Sequence, residues 1–256
     1  MDKPGEIRFP TVLSIAGFDP SGGAGVLADT KTFVAFNCCP AAAITSLTFQ
    51  NEQEVFGCVH QTASTVRAQL TPVLAERKVS AVKTGMLPTR EIVLEVANVV
   101  REHKLPSLVV DPVIRSTSSY ELANDAAISA LCEELFPLAR VVTPNIPEAE
   151  RLTGLSITDE ESMRRATLSI RKLGAQAVLL KGGHLRNAPA ATDLLDDGGM
   201  VRSFSSEWIR GDNFHGTGCL LSAAIAACLA KGLALEEATR QAKNFVTNEI
   251  RRKAAA

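Results

Sequence analysis

Short runs of consecutive apolar residues alternate along this chain with longer stretches whose apolar positions recur every three or four residues. That alternation predicts strands interleaved with helices. Thr11–Ala16, Ala41–Leu47, Ser80–Gly85, Ser107–Pro112, Arg140–Thr143 and Ala177–Lys181 read as strands, and Thr192–Leu195 with Val201–Ser205 as a further strand pair. Helical spacing covers 25–37, 62–76, 89–102, 124–135, a stretch from Ile146, and 159–173. Two helices, from Gly216 and from Leu235, close the chain. Strands that are apolar on both faces belong in a mostly parallel sheet with helices on each side. No repeat, low-complexity segment or linker divides the pattern, so one α/β domain over residues 1–256 is expected, with loose ends at about 1–10 and 252–256.

The polar residues gather just after the strands. Asp19, Gln50, Lys83, Asp111, Asn145, Glu148, Lys181 and His184 each follow an apolar run. Any one of them would serve as a helix cap or turn residue. Together on one edge they favour a ligand site, because open α/β sheets bind ligands in the crevice at the carboxyl ends of their strands. The segment His215-Gly216-Thr217-Gly218-Cys219 runs directly into a helix. Its glycines permit close backbone approach, and helix-start N–H groups form an anion site. Cys219, placed in that field, is expected to have thiolate character. A second glycine cluster, Gly23-Ala24-Gly25-Val26-Leu27-Ala28, fits a dinucleotide fingerprint. That reading is disfavoured: about seven residues separate the cluster from its strand where a tight turn is needed, and no ribose-binding acid follows Leu47.

Composition narrows the partners. A net charge of -1, with one Trp and one Tyr, provides neither a basic surface nor a stacking platform for nucleic acid. No apolar run is long enough to span a bilayer, and the first residues lack an apolar signal core, so a cytoplasmic location is expected. None of the six cysteines forms a CxxC pair or a zinc-like spacing with histidine. Most read as small buried hydrophobes; only Cys219 has an electropositive setting.

Six segments carry a family resemblance: Ile15–Gly25, Lys83-Thr84-Gly85-Met86, Val109-Val110-Asp111-Pro112-Val113, Thr143-Pro144-Asn145, Lys181-Gly182-Gly183-His184 and His215–Cys219. In this order they resemble the hydroxymethylpyrimidine/phosphomethylpyrimidine kinases of thiamine biosynthesis, members of the ribokinase-like superfamily. The resemblance runs from about Thr11 to Arg251. It implies a three-layer α/β/α sandwich with a mostly parallel central sheet. It also implies ATP-dependent phosphorylation of 4-amino-5-hydroxymethyl-2-methylpyrimidine and then of its monophosphate, by a homodimer.

Site residues follow from the same resemblance. Backbone N–H groups of Gly216, Thr217, Gly218 and Cys219 would cradle the transferred phosphoryl, and Cys219 stands where sugar-kinase relatives carry an aspartate base. A direct role in accepting the alcohol proton is favoured over a purely positioning one, although a loose transition state needs little early deprotonation. Gln50 matches the pyrimidine-recognising position, and its amide offers a donor and an acceptor to the ring nitrogen and amino group. Gly17, Met86 and Val113 match pocket-lining positions, and Asp29 a position near the hydroxymethyl group. Asn145, Lys181, Gly183 and Thr217 are assigned to ATP, and Asp111 and Glu148 to Mg²⁺, with Glu148 acting through water. Packing accounts equally well for Met86, and helix-dipole chemistry for Asp29 and Glu148. His184 and His215 are expected to shape loops.

Three departures stand out. Arg115-Ser116-Thr117-Ser118-Ser119-Tyr120 replaces the lysine-serine-glycine segment of the family's flap, which bears on handling of the monophosphate more than on the first step. Asp212-Asn213-Phe214-His215 replaces an Asn-Thr-His run, and the glycine-rich tail of many relatives is missing. Pyridoxal kinases share the scaffold more weakly. They are disfavoured by Gln50, since pyridoxal-preferring relatives tend to be apolar there. A non-catalytic ligand-binding or regulatory protein is the other alternative, opposed by Cys219, Asn145, Glu148 and Lys181.

Overall fold

The computed structural model describes residues 9–51, 53–116, 118–183, 185, 190–209 and 216–254. His184 and the 212–215 segment lie outside these residues. The strands are β1 (Thr11–Phe18), β2 (Cys39–Gln50), β3 (Val55–His60), β4 (Val79–Thr84), β5 (Leu108–Val110), β6 (Val141–Val142), β7 (Ala177–Leu180), β8 (Ala191–Asp197) and β9 (Met200–Ser206). The helices are α1 (Gly25–Ala35), α2 (Ala63–Glu76), α3 (Arg90–Glu102), α4 (Asp125–Ala130), α5 (Ile146–Thr153), α6 (Glu160–Arg171), α7 (Thr217–Ala230) and α8 (Leu235–Ala254).

One sheet holds all nine strands in the order β3-β2-β1-β4-β5-β6-β7-β8-β9. Only β3 and β8 run against the rest. Alternate residues of the central strands feed two cores. Leu13, Ile15, Val82, Val110, Val142 and Val178 pack with α2 to α6 on one face. Val12, Ala81, Val109, Val141, Ala177 and Leu179 pack with α1, α7 and α8 on the other. This double burial explains why the central strands read as mostly apolar runs. Helix α7 is apolar all round, and its run of buried alanines lets it lie between α1 and α8 and directly on β4 and β5. Its N-terminus is thereby aimed at the strand ends. Because β2 and β4 flank β1 on opposite sides, both parallel to it, the chain reverses its winding direction at β1. The crevice that this creates is where such sheets bind ligands.

Several expectations need correction. Strand β3 escaped the pattern because it is an edge strand with Phe56 and Val59 exposed and no continuous apolar run. The helix expected over 124–135 is α4 followed by one turn of π-helix at Leu131–Leu135 and a 3₁₀ turn at Phe136–Leu138. The loose end expected from Arg252 is helical to Ala254, and Arg252 pairs with Glu249 at 2.6 Å. Among the described residues no helix is long and apolar enough to cross a membrane.

Candidate active site

Two glycine loops interlock over the crevice. A β-carbon on Gly25 would stand 2.2 Å from the Gly17 carbonyl oxygen, and one on Gly216 would stand 1.8 Å from that of Gly23. Both residues also have positive φ, +59° and +81°, where side chains are strained. The loop between β1 and α1 is stapled by Asp19, whose carboxylate accepts from the Ser21 amide at 2.8 Å, the Ser21 hydroxyl at 2.7 Å and the Ala24 amide at 2.8 Å. Gly216 caps α7, and no side chain caps that helix start. The first intrahelical bond runs from the Leu220 amide to the Gly216 carbonyl at 3.0 Å. The N–H groups of Gly216, Thr217, Gly218 and Cys219 therefore have no partner within the helix.

Strand ends supply the charges. Lys181 follows β7, and its Nζ donates to Asp111 Oδ1 at 2.8 Å. It also lies 3.1 Å from where a Gly218 β-carbon would be, against the open helix start. Asp111, after β5, accepts from the Thr143 hydroxyl at 3.2 Å and the Ser222 hydroxyl at 3.1 Å, tying three strand ends to α7. Glu148 is bound into a capping box at the start of α5: its carboxylate accepts from the Asn145 amide at 2.7 Å while Asn145 Oδ1 accepts from the Glu148 amide at 2.9 Å. Burial pushes the Glu148 carboxyl up to about 7, aided by Asp111 and opposed by Lys181. A buried carboxylate held this far up gains from any added cation. No cluster of three or more metal-binding side chains occurs among the described residues. Mg²⁺ needs none, since it commonly uses one or two carboxylates, water and phosphate oxygens. Asp111 and Glu148 fit that requirement.

A cleft of about 910 Å³ joins these groups to Gly17, Gln50, Met86, Val113, Asn145 and Gly183, so the expected binding residues converge. Gln50 ends β2 at a bulge and makes no side-chain hydrogen bond with the described residues, which leaves its amide available. Two expectations fail. Asp29 does not line the cleft: it is fully buried, and both its oxygens lie 2.9 Å from Lys83 Nζ while the Ser14 hydroxyl donates to it at 2.5 Å. Lys83 reaches the cleft in its place. Nor do the surroundings of Cys219 favour its thiolate. Enclosure pushes it up to about 11, with Asp111 and Asp29 adding to the effect and Lys83 and the Gly25 amide opposing it. Helix-start polarity is outweighed by desolvation and two nearby carboxylates.

The sequence pattern missed several cleft residues. Trp208 and Ile209 after β9, with Val246, Thr247 and Ile250 of α8, form its far wall. The only available signal was the apolar stripe of α8, which reads equally as core. The Lys83–Asp29 pair was invisible because its members lie on different elements.

Comparison with known proteins agrees with this geometry. A family model described as phosphomethylpyrimidine kinase matches residues 19–256. The hydroxymethylpyrimidine/phosphomethylpyrimidine kinase of Rhizobium meliloti is 46% identical over 91% of this chain and 88% of its own length. The thiamine biosynthesis bifunctional protein ThiED of Geobacter sulfurreducens is 45% identical over 95% of this chain, which spans only 50% of that protein. Among solved structures, the phosphomethylpyrimidine kinase of Clostridium difficile superposes with a TM-score of 0.83 at 38% identity, covering 94% of this chain and 99% of that one. The pyridoxal kinase of Staphylococcus aureus in complex with AMP-PCP gives a TM-score of 0.86 at 34% identity, covering 94% and 87%. The three-layer fold is thus the ribokinase-like one, and the chain belongs to the phosphomethylpyrimidine kinase family.

Proposed function

We propose that the protein transfers the γ-phosphoryl group of ATP to the hydroxymethyl oxygen of 4-amino-5-hydroxymethyl-2-methylpyrimidine and then to the resulting monophosphate. One observation carries this reading. A single cleft has, among the described residues, a helix start with no side-chain cap beside Lys181 and, on its wall, an amide, Gln50, with no side-chain hydrogen bond. The helix start and lysine suit a phosphoryl group, and the amide suits an aminopyrimidine edge. The AMP-PCP complex of the related pyridoxal kinase supports ATP as donor.

Phosphoryl transfer asks the protein for positioning and charge stabilisation rather than covalent chemistry. The four free N–H groups at the start of α7 would surround the equatorial oxygens, and Lys181, held by Asp111, would neutralise charge on the phosphates. Asp111 and Glu148 would hold Mg²⁺, partly through water, and the ion when bound supplies charge neutralisation between phosphates. Cys219, a neutral thiol near pH 7, orients the acceptor hydroxyl instead of removing its proton early. The proton then leaves late, as a loose transition state allows. Met86, Val113 and Gly17 would enclose the ring, and a Gly17 β-carbon would crowd Met86 Sδ at 3.1 Å.

Exposed apolar residues on the β2–β3 edge support the homodimer. Leu47 and Val59 are directly paired, and Phe49 lies across Gly57 on the same face. A cytoplasmic setting fits six free cysteines.

The test is ADP release with Mg²⁺ and three acceptors: the aminopyrimidine alcohol, its monophosphate and pyridoxal. The alcohol should be turned over with the highest kcat/KM among the unphosphorylated acceptors. Gln50→Met should lower that value roughly ten- to hundredfold, the cost of one or two lost hydrogen bonds to a bound polar edge. Silence with all three acceptors, or a preference for pyridoxal, would overturn the assignment.

A further inference from the structure

The cleft contains five cationic side chains among its described lining residues: Lys83, Arg115, Arg151, Lys181 and Lys243. Four are neutralised locally. Lys83 pairs with Asp29, Lys181 with Asp111, Lys243 with Asp193 at 2.7 Å, and Arg151 with Asp125. Arg115 alone among them has no carboxylate and no side-chain hydrogen bond within the described residues.

Its backbone is well anchored. Arg115 follows Ile114, which is 3% exposed, and forms a bridge to Glu121 across a short hairpin-like loop. The Leu122 amide donates to the Ile114 carbonyl at 2.8 Å and the Ser116 amide to the Tyr120 carbonyl at 2.9 Å. The loop is also docked on β3: the Val55 amide donates to the Ser118 hydroxyl at 3.4 Å, and Tyr120 Oη lies 3.9 Å from Cys58 Sγ. Strand β3 pairs with the strand that ends at Gln50. Arg115 therefore belongs to the acceptor end of the cleft, two residues after Val113, and away from the wall formed by Trp208, Val246 and Ile250. Ser119, held at φ +68°, lines the cleft with it.

Charge then decides what this end is built for. The aminopyrimidine alcohol is neutral and offers a guanidinium no opposite charge. Its monophosphate carries close to two negative charges at neutral pH. A guanidinium can meet a phosphate through two parallel N–H···O bonds. Resting on the kinase reading above, we propose that Arg115, assisted by the Ser119 hydroxyl, forms a subsite for the phosphate of a phosphorylated acceptor and so selects the second phosphorylation. In that step a phosphate oxygen of the acceptor forms the new P–O bond, the β,γ-bridging P–O bond breaks, and ADP leaves with the electron pair. The attacking oxygen is already ionised, so no protein base is needed, and the step makes no demand on Cys219.

Steady-state kinetics of Arg115→Ala and Arg115→Lys, with the alcohol and the monophosphate as separate acceptors, test the subsite. For Arg115→Ala the ratio of kcat/KM for monophosphate over alcohol should fall roughly ten- to hundredfold, mostly through KM for the monophosphate. Arg115→Lys should recover part of it. Titration calorimetry of the monophosphate without nucleotide should show the same order of weakening, which a purely structural role would not produce. An unchanged ratio overturns the subsite, as does a rise in KM for ATP that is equal with both acceptors, which would assign Arg115 to the donor. Wild-type turnover of the alcohol with none of the monophosphate also overturns it while leaving the kinase reading intact. No turnover of either acceptor removes the kinase reading itself.

Discussion

Replacing Lys83 by Met probes the charge arrangement beside the transfer point. Lys83 and Asp29 are both fully buried, and Nζ lies 2.9 Å from each carboxylate oxygen. Burial alone would lower the lysine pKa, but Asp29, with help from Cys219 and Asp111, raises it instead. Methionine keeps most of the side-chain volume, so the cavity contribution is small and the loss is electrostatic. Asp29 would be left with only the Ser14 hydroxyl at 2.5 Å. Stranding one member of a buried pair costs about 3–5 kcal/mol. At about 2–4 °C per kcal/mol for a chain of this size, Tm should fall by about 6–20 °C. The double variant Lys83→Met with Asp29→Leu strands no charge and should regain at least half of that loss. Burial raises the Asp29 carboxyl, so acidification neutralises it in the single variant, and the deficit should narrow at pH 5 relative to pH 7.5. Calorimetry of the ligand-free protein at both pH values provides the measurement. A loss below about 1 kcal/mol at pH 7.5, or a double variant no better than the single one, would refute the reasoning.

Two further predictions concern the site's own titrations. With its thiol up at about 11, Cys219 should be alkylated by iodoacetamide at a rate still climbing at pH 9, resolved from the other cysteines by peptide mass spectrometry. A plateau below pH 8 would restore the thiolate base. Glu148, at about 7 in the folded protein against about 4.3 unfolded, binds more protons folded than unfolded between those values. Stability of the apo protein in EDTA should therefore fall as pH rises through that window. Glu148→Gln keeps the capping geometry and should abolish most of that slope, making the variant the more stable protein at pH 8. The same variant should lower turnover at fixed Mg²⁺, which separates a ligand role from a capping role.

Legibility differed between local and convergent features. The central strands, from Val12 and Leu13 in β1 to Leu179 and Leu180 in β7, were readable because both faces are buried and most of their residues are apolar, with Ser14 in β1 and Lys83 in β4 as buried exceptions. The capping residues Asn145 and Thr89 were readable as helix starts for a local reason, since each side chain accepts from an amide three residues on. Gly216 and Gly25 were readable as necessary glycines, but not that Gly216 is demanded by the Gly23 carbonyl of the other loop and Gly25 by the Gly17 carbonyl at the end of β1. Asp29 shows the limit most clearly. The family resemblance implied a place near the ligand for it, whereas a lysine from a strand 54 residues away claims both its oxygens.

The sequence by itself determined the order of the central strands and their helices, the double-faced sheet and the edge on which polar residues gather, because these depend on local periodicity and on which residues follow a strand. Tertiary structure alone decided which of those polar groups are satisfied internally and which remain open to a ligand. Pairing, desolvation and charge are properties of neighbours brought together by folding. They lift the Cys219 thiol out of its expected range, bury Asp29 behind Lys83, and leave Gln50 and Arg115 without side-chain partners among the described residues at the acceptor end.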